Sequence, residues 1–123
     1  MTNESLKYIN EALTDAGIAY EYERWESDLV YPYFVGEYTE SEPENEDGLQ
    51  ESSFIITGTT NDTWLSLEDA KNTIKKEICN KTAILPNGNG LAVYFAGSSK
   101  VPTGNERMKR IQINLLIKEW EVK

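Results

Sequence analysis

Apolar positions recur with two different periods along this chain, and the changes of period divide it into elements. Leu6, Ile9, Leu13 and Ala16 fall three or four residues apart, the spacing of one helix face. Asn3 stands where it would cap that helix, Glu4 favours its first turn and Gly17 stops it, which predicts a helix over residues 4–16. Ile18 then falls where a left-handed glycine turns an apolar side chain back onto Leu13.

From Tyr20 the period is two. YEYERWE, residues 20–26, alternates weakly and reads as an edge strand. VYPYFVGEYTE, residues 30–40, sets Tyr31, Tyr33 and Val35 against Phe34 and Tyr38; Pro32 has no N–H for a ladder and belongs at the strand's start or on an edge. SSFIITGTT, residues 52–60, resumes as a strand and ends in turn-forming Thr60, Asn61 and Asp62. Between the two lies EYTESEPENEDGLQE, residues 37–51, with seven acidic side chains and no basic one. Flanked by strands, it reads as a long acidic hairpin loop, flexible over about residues 38–51.

A helical period returns with Ala70, Ile74 and Ile78; Ser66 is placed to cap, with Asp69 three residues on, and Lys75 and Lys76 near the far end. TAILPNGNGLAVYFA, residues 82–96, is a hairpin around Pro-Asn-Gly-Asn-Gly, its second half apolar on both faces as in a central strand. GSSKVPTGNER, residues 97–107, reads as a loop. In the closing strand Ile111, Ile113, Leu115 and Ile117 face one way and Gln112 and Asn114 the other. The phase then changes, since Trp120 and Val122 fall beside Leu116, which predicts a bulge or an end packed away from the main core. The order α-β-β-β-α-β-β-β predicts an α+β single domain over residues 1–123, two helices packed on a mainly antiparallel sheet.

Composition changes this picture little: 39% hydrophobic and 27% charged residues are globular values for a chain of 123 residues. Charge changes it more. Acids outnumber bases 21 to 12, a net charge of −9, which argues against binding phosphate backbones and so against a sequence-specific nucleic-acid partner. The longest apolar run, LAVYFA, falls far short of the roughly 20 residues that span a bilayer, and no signal-peptide pattern follows Met1, so a soluble protein made in the cytoplasm is expected. The sequons at Asn3, Asn61 and Asn80 and the lone Cys79 do not point outward either.

Candidate chemistry is sparse. The absence of histidine removes the commonest general base and metal ligand. Cys79 follows Ile78 at a helix end and reads as an inert thiol. Aligning Gly48 with the glycine of an EF-hand loop places Pro43 first and Phe54 last, so that spacing fails. PNGNG lacks the third glycine and following helix of a dinucleotide site and the lysine of a P-loop. Glu119 and Glu121 share a strand face and read as surface carboxylates. No enzyme activity, cofactor or metal is expected. Seven Tyr, three Trp and an acidic loop remain, and aromatics of this kind serve both cores and interfaces.

The segments LVYPYFVGEYTE, SSFIITGTT, LEDAKNTIKKEI, AILPNGNGLAVYF and RIQINLLIKEWEV, in this order, resemble the tail-completion or tail-terminator proteins of long-tailed bacteriophages and prophages of Gram-positive hosts. The likeness covers almost the whole chain in order and texture, without an invariant motif. It implies a structural virion protein, in the host cytoplasm before assembly, that joins copies of itself into a ring, usually a hexamer. That ring closes the head-proximal end of the tail tube and meets the head-tail connector. It also implies that DNA passes an acidic loop without binding, which selects Glu37, Glu40, Glu42, Glu44, Glu46, Asp47 and Glu51 as lumen or interface residues, with Trp120 and Val122 at the strand end. The competing readings are a head-tail connector or minor capsid protein of the same particle, and an acidic cytoplasmic module that binds or inhibits a basic partner.

Overall fold

Each helix begins earlier than its period predicts, and the cap explains the first case. The computed structural model describes residues 1–40 and 48–121. Helix α1 spans Asn3–Asp15, and its cap is Thr2, not Asn3: Thr2 is extended and its Oγ1 accepts the Ser5 N–H at 3.2 Å. At the other end Gly17 takes φ +82°. Its N–H donates to Thr14 O and that of Ile18 to Leu13 O, both at 3.0 Å, so the expected return of the chain onto Leu13 is made.

Strand β1, Tyr20–Tyr22, is much shorter than residues 20–26, because Glu23 turns left-handed (φ +67°) and Arg24 N–H folds back on Tyr22 O at 2.8 Å. Strand β2, Tyr33–Glu40, starts directly after Pro32, and the Tyr31–Pro32 peptide is cis. Strand β3 is Leu49–Thr60. Helix α2, Trp64–Glu77, has Thr63 at its cap position without a side-chain bond. Ser66 stands inside the first turn, its Oγ donating to Thr63 O at 2.8 Å, so the capping box expected from Ser66 to Asp69 does not form.

Strands β4, Lys81–Ile84, and β5, Gly90–Val101, form the expected hairpin, closed by Leu85 N–H on Asn89 O at 2.8 Å with Gly88 left-handed. Strand β5 runs on to Val101, so residues 97–101 are strand where a loop was predicted. The register shifts between Phe95 and Ser98, where Gly97 (φ +117°) supplies the bulge that lets pairing continue. Strand β6 is Lys109–Trp120.

Among the described residues six strands make one mixed sheet in the order β1-β2-β3-β6-β5-β4; β1 lies parallel to β2, and the other pairs are antiparallel. With its two helices this is an α+β fold. Both helices cover the same face. Phe34, Phe54, Ile56, Ile111, Ile113, Leu115 and Ile117 meet Ile9, Leu13, Leu67 and Ile74 there in one apolar cluster. Two glycines admit rings to it: the ring of Phe34 lies across its cross-strand partner Gly58, and those of Tyr20 and Phe54 cross Gly36. No helix among the described residues is long and apolar enough to cross a membrane.

Of the two outcomes expected at the end of strand β6, the bulge does not form, while Trp120 does pack away from the main core, over Gly90. The strand pairs with β3 without interruption from Lys109 to Trp120, so no bulge re-aims it. The inward series Ile111, Ile113, Leu115, Ile117 continues to Glu119, which is 4% exposed, and Trp120 simply lies on the other face with Leu116.

Candidate functional site

Two carboxylates that alternate along β6 and its continuation were expected at the surface; one is buried. Glu119 Oε2 accepts Thr2 Oγ1–H at 2.8 Å and Asn89 Nδ2–H at 2.9 Å, and Oε1 accepts Thr2 N–H at 3.2 Å. Burial alone would raise its pKa, but the hydrogen bonds from Asn89, Thr2 and Ser5 outweigh that and hold it below the usual carboxylate range. Through these hydrogen bonds the carboxylate ties the start of α1 to the sheet and to the β4–β5 turn. It is a fastening rather than a reactive group. The signal that could have found it is the unbroken two-residue alternation with Ile117.

Cys79 is 3% exposed, and burial pushes its thiol up to about 11, so it stays protonated at neutral pH and is a poor nucleophile. Among the described residues no cluster of three acidic or cysteine side chains is arranged to hold a metal ion.

What the fold does present is the face of the sheet opposite the helices. Strand alternation fixes its membership. The cross-strand rows read Val35–Thr57–Gln112–Ser99, then Glu37–Ile55–Asn114, then Thr39–Ser53–Leu116–Tyr94, and at the end Leu49–Trp120–Gly90–Ile84. Most of these side chains are half-buried or exposed; Ile84 is 77% and Tyr94 38% exposed. The polar ones bond along the face. Gln112 Nε2–H donates to Asn114 Oδ1 at 3.0 Å, Arg110 Nε–H donates to Thr59 Oγ1 at 3.2 Å, and Lys118 lies 3.8 Å from Glu51 and 5.8 Å above the Tyr94 ring. Trp120 lies over Gly90, whose missing side chain leaves room for the indole: a Cβ there would meet Cε3 at 3.3 Å.

At the opposite end an aromatic corner stands on the same face. Trp25 lies 5.4 Å and Tyr31 5.9 Å from Tyr33, and Leu29 and Val30 of the connecting loop are exposed, Val30 and Tyr31 bordering a hollow toward Ala16–Ala19 and α2. A hollow of about 240 Å³ between Glu23, Tyr33, Val35, Glu37, Thr57 and Arg110 adjoins it. This corner was missed in the sequence, because its residues belong to a stretch read as strand.

Of the residues selected above, Glu37, Glu51 and Trp120 fall on this uncovered face. Glu40 alternates to the helix side and ion-pairs with the Met1 ammonium. Glu42, Glu44, Glu46, Asp47 and Val122 lie outside the described residues. The chain matches no protein-family model and no curated protein.

Proposed function

We propose that this chain is a non-enzymatic structural protein of a long-tailed phage or prophage, a ring subunit that closes the head-proximal end of the tail tube and joins it to the head connector. The observation that carries the reading is the sheet covered by helices on one face only, in a chain whose element order resembles that of the tail-completion proteins. A face on which apolar and aromatic side chains alternate with Glu37, Glu51, Arg110 and Lys118 suits a contact between proteins. The acids bordering residues 41–47 suit a surface past which DNA moves, since like charges repel phosphate within the ~8 Å Debye length at physiological salt.

The test is co-sedimentation of the purified protein with tail tubes that lack their terminator, followed by electron microscopy of the tube ends. Density capping one end is expected. Tubes that pellet without the protein would overturn the reading. A salt-sensitive complex with a basic cytoplasmic protein, formed instead, would favour the acidic binding module.

A further inference from the structure

Two stretches of sheet border have no strand beside them among the described residues. Strand β1 covers β2 only at residues 34–36, which leaves residues 37–40 bare. Strand β4 covers β5 only at residues 90–93, which leaves residues 94–101 bare. Backbone directions follow from the bonds already made. Phe34 N–H donates to Ala19 O and Glu23 N–H to Gly36 O, so by alternation Tyr38 and Glu40 turn their amide groups out of the sheet. Val93 O accepts Asn80 N–H, so Phe95 points out as well, and the bulge passes that role to Ser98 and Lys100.

Natural proteins blunt such borders with proline, charge or a covering element. The β5 border has no proline before Pro102, and its one charge, Lys100, rests 4.7 Å above the Trp64 ring on the helix side. The two borders also complement each other. Successive antiparallel pairings make β2 and β5 run in opposite directions, so a copy held in the same orientation would extend the sheet with an antiparallel ladder. Residues 94–101 carry Lys100 and no acid, whereas residues 37–40 carry Glu37, and Glu40 with the Met1 ammonium on it, and no basic side chain. Like borders would set equal charges against each other.

We infer that the bare β5 border, residues 94–101, receives the bare β2 border, residues 37–40, of a second copy of this chain. The contact is head-to-tail, so it repeats and closes into a ring where the rotation allows. It rests on the assembly proposed above for its occupant, and on the sheet's own borders for its place.

Sedimentation over a concentration series tests it with Ser98→Pro, which removes an outward N–H and leaves the ladder to β6 intact. The wild type is expected to assemble beyond a dimer, and Ser98→Pro to stay monomeric with an unchanged circular dichroism spectrum. Lys100→Glu should weaken assembly by about tenfold or more. Amide exchange of the wild type, which needs no variant, should slow at residues 37–40 and 94–101 on assembly. A wild type that stays monomeric, assemblies that survive Ser98→Pro, or protection confined to other segments would each overturn the inference. Border-dependent assemblies that ignore tail tubes would overturn the proposed function and leave this contact standing.

Discussion

Glu119 keeps its charge inside the protein because Thr2, Ser5 and Asn89 replace the water it gives up. Its folded pKa lies below the unfolded value of about 4.3, so the unfolded chain binds the extra proton and the contribution to stability is present above that value. It is lost as pH falls from there through the folded pKa. Thermal melts from neutral pH to acid should therefore show the wild type losing more stability than Glu119→Gln, which has no such proton to take up. At neutral pH Glu119→Ala leaves the Thr2 and Asn89 donors facing a buried gap and should cost about 3 kcal/mol by denaturant unfolding. Gly58→Ala acts differently. Its methyl would collide with the Phe34 ring, and displacing that ring from the core should cost about 2 kcal/mol.

At the scale of elements, the ends of α1 separate what was legible from what was not. Gly17 and Ile18 announce its stop in the sequence, because a left-handed glycine followed by an apolar residue is a local device. Its start was misplaced by one residue, since Thr2, Asn3 and Ser5 are all capping types and only the position of Glu119 selects Thr2. Thr2→Ala should thus cost about 1–2 kcal/mol, and Asn3→Ala no more than about 0.5 kcal/mol; equal effects in urea titrations would refute the assignment. The continuation of β5 past Gly97 was hidden for a related reason. Gly, Ser and Pro read locally as loop, while pairing with β6 overrides that preference. The uncovered face was half legible: alternation gives its residues, but which face the helices choose depends on contacts far apart in sequence.

For the molecule as a whole, charge and topology carry different consequences. A surplus of acids that gives −9 repels itself in the compact state, so raising salt from about 0.05 to 0.5 M should raise the melting temperature through screening. A melting point indifferent to salt would show that the acids are already neutralised by their neighbours. The topology sets an order in time. Strand β6 is the eighth of the eight elements among the described residues, yet it stands between β3 and β5 and joins β1-β2-β3 to β5-β4. Until residues 109–120 leave the ribosome, the two halves of the sheet have no common partner, and the core faces of Phe54 and Val93 stay apart. A chain ended at residue 104 should show no cooperative thermal transition by circular dichroism. Before residues 109–120 emerge, the acidic nascent chain would hold two half-sheets without the strand that joins them.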